Sequence, residues 1–309
     1  MEITDSSPDK KQPETQGDSL LANLFTTPFA LSLPPRYLRP FIFSSPHSGR
    51  IYPASFLGQT RLSNVNLRRS EDAYMDQLLA DIVELGVPMI SARFPRAYLD
   101  PNRAPAELDP TMFDAPLDLP VDTASPRVAA GLGVIPRIVR DGAEIYRDRL
   151  CVAEAHRRLS RLHRPYHVGL SGLVSESLAN FGAAVIVDCH SMPSLATAPD
   201  IVLGDRYGTA ATHALTRHAE RAFLAMGFKV ARNVPYAGGY TTGFYGRPAK
   251  GIHALQIEVN RSLYLNEERI VPNGQFNDIA GRLVKAFSRI VSIDVALLKP
   301  IGALGLAAE

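Results

Sequence analysis

Two histidines and one glutamate occupy positions suited to metal and proton chemistry. His47 follows the short apolar run 41–44, and His190 follows the longer apolar run 183–188. Glu258 lies in a further apolar segment. Because function in an open α/β sheet concentrates at the carboxyl ends of the strands, we expect these three side chains to converge. The alternative for a single histidine is a hydrogen-bonded loop or core residue.

Two imidazoles and one carboxylate are a common ligand set of catalytic zinc, which keeps a fourth position for water. We therefore interpret His47 and His190 as metal ligands and expect an acidic third ligand. Glu71 and Asp72 stand at the start of a predicted helix, and their spacing does not choose between them. Acidic residues there also suit the positive end of the helix dipole, which is the simpler explanation. Asp188 lies on the same side of its strand as His190 and could orient that imidazole.

Glu258 is the candidate general base. A carboxylate inside the apolar segment 254–259 is costly to bury unless it is paired or lies near a metal. Burial would raise its pKa toward neutrality, which suits proton transfer. The alternative is a structural salt bridge from Glu258 to Arg261 or another arginine.

Arginines and one amide are candidates for binding a carboxylate of the substrate. The segment 93–103 holds three arginines and ends in Asn102-Arg103, and Arg137 and Arg140 form a second basic pair. The planar guanidinium matches a carboxylate in two-point hydrogen bonding. We expect Asn102, Arg103 and Arg137 to bind substrate, although most arginines simply lie on the solvated surface.

A glycine-rich segment with aromatic residues covers 233–243. It lacks the lysine and hydroxyl residue that end a phosphate-binding loop, so we do not interpret it as one. Two interpretations of this segment remain: it is a lid that places Tyr240 near the substrate, or it is an ordinary glycine-rich turn.

Apolar segments of strand and helix type alternate along the chain. Predicted strands cover 41–44, 88–91, 183–188, 228–231 and 254–259; predicted helices cover 71–85, 141–163, 166–179, 208–226 and 277–292. This alternation predicts an α/β fold with a mixed, largely parallel central sheet and helices on both faces. We expect a flexible tail over 1–18, a single domain over 19–309 and a long loop over 101–128.

The composition is that of an ordinary globular protein. Of 309 residues, 46% are hydrophobic and 21% charged, and the net charge is +2 without a basic block, which argues against nucleic-acid binding. No apolar run approaches the roughly 18–20 residues of a membrane helix. Cys151 and Cys189 form no CxxC pair and the N-terminus lacks a signal-peptide core, so we expect reduced thiols and a cytoplasmic location.

The motifs of this chain, taken together and in order, resemble the N-formylglutamate amidohydrolase family. The resemblance is carried by SPHSGRIYP (45–53), EDAYMDQL (71–78), RFPRAYLDPNR (93–103), GLGVIPRI (131–138), HRPYH (163–167), VIVDCHSMPS (185–194), DIVLGDRYGTA (200–210), VPYAGGYTTGFYGRP (234–248) and GIHALQIEVNRSLY (251–264). It covers most of the chain between about residues 40 and 265. The family in turn resembles the zinc carboxypeptidases, which implies a zinc-exopeptidase-like (phosphorylase/hydrolase-like) fold.

The resemblance implies a mechanism and a substrate. In the zinc carboxypeptidases the first metal motif is His-x-x-Glu, whereas this chain has His47-Ser-Gly-Arg50, so the acidic ligand must come from elsewhere. The resemblance favours Asp72 over Glu71, with Glu258 as general base. The implied substrate is N-formyl-L-glutamate, cleaved to formate and L-glutamate in histidine degradation. The resemblance also implies that Arg103 and Arg137 bind the carboxylates of the glutamate part of the substrate.

Three alternatives remain at the level of sequence. The substrate could be another N-acyl amino acid or a short peptide, because the arginines favour an acidic substrate only weakly. Manganese, iron or cobalt could replace zinc at such ligands. A binding protein without catalytic activity could keep the same fold, although the candidate base and both histidines are present.

Overall fold

A computed structural model describes residues 16–139, 142–194, 197 and 199–300. Within this part of the chain seven strands form one sheet in the order β1-β3-β2-β4-β7-β5-β6. The strands are β1 (Phe29–Ser32), β2 (Phe41–Ser45), β3 (Met89–Ala92), β4 (Ala184–Met192), β5 (Ile201–Gly204), β6 (Val230–Arg232) and β7 (Ile252–Asn260). Strands β3, β2, β4 and β7 are mutually parallel, whereas β1 and β5 pair antiparallel with their neighbours β3 and β7. The predicted mixed, largely parallel sheet is confirmed.

The helices of the described residues are α1 (Gln16–Thr26), α2 (Ala54–Gln59), α3 (Asn64–Arg68), α4 (Met75–Leu78), α5 (Pro126–Ala129), α6 (Val152–Arg158), α7 (Arg164–Phe181), α8 (His213–Leu224), α9 (Tyr240–Tyr245) and α10 (Phe276–Val291). A two-stranded ribbon, β8 (Leu265–Asn266) with β9 (Val271–Pro272), lies outside the main sheet. None of the described helices is long and apolar enough to cross a membrane.

Helices cover both faces of the sheet, which explains why the first part of its central strand β4, Ala184–Val187, is entirely apolar. Val185 and Val187 of β4 pack into a core that includes residues of α8 and α10. Ala184 and Ile186 point to the other side and pack with residues of α1, α6 and α7. All nine residues of β4 are buried, as expected of a strand covered on both faces.

The predicted helix over 71–85 is wrong in its first turn. Helix α4 begins only at Met75, and a 3-10 helix follows over Ala80–Leu85. Tyr74, just before α4, has a left-handed backbone with φ of 63°, which interrupts a helix that would start at Glu71. Glu71 and Asp72 therefore lie in a turn, and this frees their side chains from the helix surface.

The predicted helices over 141–163 and 166–179 form one continuous helical segment with a later start. Helix α6 begins at Val152, passes through a π-turn at Leu159–His163, and continues as α7 to Phe181. Residues 142–151 are irregular, and 140–141 lie outside the described residues. Residues 1–15 of the predicted tail over 1–18 also lie outside the described residues. Helix α1 begins at Gln16, within the last three residues of that predicted tail.

Candidate active site

The long parallel strands β4 and β7 carry the central polar side chains. His190 pairs in register with Glu258, and Asp188 pairs with Gln256. Because side chains alternate along a strand, the two residues of each strand face the same side. Strand β4 continues to Met192, so His190 lies within the strand, whereas the sequence predicted a strand that ends at Asp188 with His190 after it.

The structure brings His47, Asp72 and His190 together as a group that could hold a metal ion. His47 Nδ1 lies 3.0 Å from His190 Nδ1 and 3.2 Å from Asp72 Oδ2, and the remaining distance, His190 Nδ1 to Asp72 Oδ2, is 3.0 Å. All three residues are buried. His47 reaches this point from the turn after β2, and the Asp72 backbone N–H donates to the His47 carbonyl at 3.0 Å.

The far side of each imidazole fixes its orientation. His47 Nε2 lies 2.7 Å from Asp100 Oδ1, and His190 Nε2 lies 2.9 Å from Asp188 Oδ2. With both carboxylates ionised, each Nε2 carries the proton and each Nδ1 presents a lone pair. Two lone pairs and the Asp72 carboxylate oxygen then face one another.

This arrangement fits a divalent metal ion. Zinc ligands at about 2.0–2.1 Å in tetrahedral geometry are separated by about 3.3 Å, close to the observed spacings. A cation among the three atoms removes the repulsion between the lone pairs. The outer carboxylates, Asp100 and Asp188, are the partners that metal-ligating histidines normally have.

Asp72 faces the histidines and Glu71 does not. Asp72 Oδ1 accepts hydrogen bonds from Arg261 Nη2 at 3.0 Å and from Ser191 Oγ at 3.3 Å, which leaves Oδ2 toward the histidines. Glu71 instead accepts from Tyr52 Oη at 2.7 Å and from Arg68 Nε at 3.2 Å. Of these two neighbouring acids, Asp72 is therefore the one whose carboxylate lies beside both imidazoles.

Glu258 lines the same cavity as these three residues. Burial, together with the charge of Asp72, raises the pKa of Glu258 to about 7, although His190 and nearby arginines act in the opposite direction. Gln256 Nε2 donates to Glu258 Oε1 at 2.8 Å. Arg261 pairs with Asp72, and among the described residues no ion pair joins Glu258 to Arg261 or to another arginine, so the alternative of a structural salt bridge is not observed.

Asn102 contacts both strand β4 and the glycine-rich segment 233–243. Its Nδ2 donates to Asp188 Oδ2 at 3.2 Å, and its Oδ1 accepts from the Thr241 backbone N–H at 2.8 Å. Gly239 packs so closely that an added Cβ would lie 2.5 Å from Asn102 Nδ2. The glycine-rich segment is therefore packed against Asn102, and this contact requires a residue without a side chain.

The cavity at this end of the sheet has a volume of about 480 Å³. Arg103 lines it, and so do Gly238 and Gly239. Arg137, which the sequence analysis expected to bind substrate, and Tyr240, which one interpretation placed near the substrate, are not on its wall. Arg137 is half-exposed and lies 3.3 Å from Asp109, and Tyr240 lines a separate cavity with His163 and other residues. Arg140 lies outside the described residues.

Several polar residues of the site were not identified from the sequence. Asp100 orients His47, and Arg96 Nε donates to Asp100 at 2.9 Å. Arg127 also lines the cavity. Asp100 and Arg96 belong to the same arginine-rich motif as Asn102, and that motif was the available signal. No comparable pattern distinguishes Arg127.

The family model of N-formylglutamate amidohydrolases matches residues 39–265 of this chain. The chain belongs to the N-formylglutamate amidohydrolase family. It is 36% identical to the crystal structure of N-formylglutamate amidohydrolase from Ralstonia eutropha JMP134, with a TM-score of 0.81 over 85% of this chain and 97% of that one. It is therefore a hydrolase that acts on an amide bond.

Curated relatives agree with this family assignment. N-formylglutamate deformylase of Pseudomonas aeruginosa is 28% identical over 239 residues, which are 74% of this chain and 83% of the relative. The enzyme of the same name from Pseudomonas putida is 27% identical over 237 residues, 74% of this chain and 82% of the relative. The gene product Atu2144 of Agrobacterium tumefaciens, at 20% identity and a TM-score of 0.62 over 87% of this chain and 96% of that one, shares the fold.

Proposed function

We propose that this amidohydrolase cleaves N-formyl-L-glutamate to formate and L-glutamate with a zinc ion held by His47, Asp72 and His190. The observation that carries the proposal is the convergence of two imidazole nitrogens and one carboxylate oxygen within 3.0–3.2 Å beside a buried glutamate. Support for the substrate comes from the two Pseudomonas relatives, both named N-formylglutamate deformylase.

Glu258 acts in this mechanism as the proton carrier. A zinc ion at the three ligands would polarise the formyl carbonyl and make water more acidic. Glu258 removes a proton from the water whose oxygen attacks the formyl carbon, and it then delivers that proton to the glutamate nitrogen. The C–N bond breaks, the amine of glutamate leaves, and the formic acid formed loses its proton to give formate.

Arginines place the substrate and stabilise the charge that develops. Arg96 lies within electrostatic reach of both Asp72 and Glu258, so we assign it to the negative oxygen formed when the carbonyl is attacked. Arg103 lines the cavity and is the arginine we assign to the α-carboxylate. Asn102 fixes the backbone between these two arginines through its contacts with Asp188 and Thr241.

The proposal is tested by incubating the zinc-loaded protein with N-formyl-L-glutamate and measuring formate and glutamate independently. We expect the two products in equal amounts. N-acetyl-L-glutamate, N-formyl-L-leucine and a glutamyl dipeptide are the comparison substrates, and we expect kcat/KM for each to be lower by at least about tenfold. A higher kcat/KM on any comparison substrate would assign the site to that other amide, and no turnover of any of them would contradict hydrolysis.

A further inference from the structure

The cavity lining includes one arginine and several apolar residues that come from a single segment of the chain. Arg127, Leu132, Pro136, Ile138 and Val139 all line the cavity. The Leu132 backbone N–H donates to the Arg127 carbonyl at 2.7 Å, so this leucine and Arg127 are close neighbours. An apolar wall next to a guanidinium suits a short aliphatic chain that ends in a carboxylate.

Three other arginines on the cavity wall, Arg261, Arg96 and Arg103, donate hydrogen bonds to protein groups. Arg261 donates to Asp72, to Ser191 and to two backbone carbonyls. Arg96 donates to Asp100. Arg103 Nε and Nη1 donate to the carbonyls of Leu132 and Asn102, at 3.0 and 2.8 Å, which leaves Nη2, 3.8 Å from Asp100 Oδ2, for the α-carboxylate.

Arg127 differs from these residues because its guanidinium has no hydrogen bond to another described residue. Its nearest carboxylate, Glu107 Oε1, lies 3.7 Å from Nη1, beyond hydrogen-bond distance. Glu107 is already satisfied, since Oε1 accepts from Ser125 Oγ at 2.6 Å and Oε2 accepts from the Ala104 N–H at 2.8 Å. The Arg127 side chain is 39% exposed. Its donors are therefore available to a ligand in the cavity.

The position of Arg127 is defined by the backbone around it. Ser125 caps the short helix α5 by accepting the Arg127 backbone N–H at 3.3 Å, and the same hydroxyl donates to Glu107. Burial lowers the pKa of Arg103, and the positive charges of Arg96 and Arg127 lower it further. An anion bound between Arg103 and Arg127 would relieve this repulsion.

We propose that Arg127 is the specificity-determining residue that binds the side-chain carboxylate of the substrate, while its apolar neighbours contact the methylene groups. This inference rests on the proposed function, because it requires an acidic N-formyl amino acid as substrate. It replaces Arg137, which the sequence favoured for a carboxylate and which lies outside the cavity wall beside Asp109.

The test compares N-formyl-L-glutamate with N-formyl-L-glutamine, which has nearly the same shape and no side-chain charge. Arg127→Met keeps an aliphatic side chain and removes the guanidinium. We expect it to lower kcat/KM for N-formyl-L-glutamate by about 10–100-fold and to change the value for N-formyl-L-glutamine by less than about threefold, because only the charged substrate loses a charge-assisted hydrogen bond.

Two further arginine variants complete the comparison. Arg137→Met tests the assignment made from the sequence, and we expect it to keep the wild-type preference for glutamate. Arg61→Met is the matched control, since Arg61 is half-exposed, pairs with Glu144 and does not line the cavity. A loss of preference in Arg137→Met with an unchanged Arg127→Met would overturn the proposal.

The outcomes separate this inference from the proposed function. A wild-type protein that cleaves neither substrate contradicts the proposed function itself. A wild-type protein that prefers N-formyl-L-glutamate, with the same preference in Arg127→Met, overturns the role of Arg127 alone. Arg127→Glu assayed on N-formyl-L-ornithine provides a second measurement, and we expect its kcat/KM on this cationic substrate to exceed that of the wild type.

Discussion

Each histidine of the candidate metal site is held by a carboxylate on the side away from the other two ligands. Asp100 lies at His47 Nε2 and Asp188 lies at His190 Nε2, so both rings present Nδ1 to the same point. Asp72 is oriented in the same way, because Arg261 and Ser191 engage its other oxygen. The ligand atoms are thus positioned by protein contacts alone, which lowers the cost of binding a metal.

The role of Glu258 is tested by Glu258→Gln. This change keeps the shape of the side chain and removes its ability to accept a proton, so we expect kcat to fall by about 10²–10⁴-fold while the metal content is unchanged. Hydrolysis and metal content should both be measured on the same preparation. A variant that cleaves the substrate at the wild-type rate would exclude Glu258 as the base.

The choice between the two neighbouring acids is tested by Asp72→Asn and Glu71→Gln. Loss of a ligand charge in Asp72→Asn should weaken zinc binding by more than the roughly 10–100-fold typical of a lost outer-shell partner. Glu71→Gln removes only a contact with Arg68 and Tyr52, so its zinc affinity should match the wild type. Competition with a chromogenic chelator measures both affinities, and the reverse order would assign the metal to Glu71.

Among the secondary-structure elements, five of the seven strands of the sheet were predictable, whereas β1 (Phe29–Ser32) and β5 (Ile201–Gly204) were not predicted from the sequence. The apolar runs at β2, β4 and β7 were recognisable because strands covered on both faces are apolar throughout, and His47, His190 and Glu258 stand out from such runs. The start of α4 was not recognisable, because the left-handed Tyr74 that interrupts the helix has no signature in the sequence. The acidic ligand could therefore not be chosen from spacing alone.

The irregular segment between β3 and α6 was the least predictable element. Arg127 and Arg137 lie in it only ten residues apart, and neither belongs to an apolar period that would indicate which way it points. Their different positions depend on a turn at Gly131, whose φ is 75°, and on the cap by Ser125. These are tertiary and turn effects that residue type alone does not reveal.

Helix α7 provides a pH-dependent contribution to stability through His167. Its Nε2 donates to the Pro101 carbonyl at 2.8 Å, next to Asn102. Burial and the neighbouring His163 lower the pKa of His167 to about 4, below its ordinary value of 6.5. The unfolded chain therefore binds a proton more readily between these pH values, and the stability of the fold decreases as pH falls from about 6.5 toward 4.

The expected size of this effect is about 2 kcal/mol of lost unfolding free energy at pH 5 relative to pH 7. His167→Gln keeps a donor for the Pro101 carbonyl and does not titrate, so its stability should fall less over this range. Urea unfolding of both proteins at pH 7 and pH 5 measures the difference. An identical pH dependence in the two proteins would show that His167 does not contribute.

At the scale of the whole molecule, the site lies where four parallel strands end on one edge of the sheet. Strands β3, β2, β4 and β7 point the same way, and the turn after β2 delivers His47 to the polar ends of β4 and β7. Ligands of open α/β sheets commonly bind at this edge. The irregular segment with Arg103 and Arg127 and the segment with Gly239 both contribute residues to the wall of the cavity at this edge.

We propose that hydrolysis by this protein depends on a metal ion held by His47, Asp72 and His190. The most direct measurement is the metal content per chain together with formate release from N-formyl-L-glutamate, for the wild type before and after chelation and for His190→Ala. We predict one zinc ion per chain in the active wild type, loss of zinc and hydrolysis together on chelation, and loss of both in His190→Ala. Full activity in a metal-free protein would contradict this account.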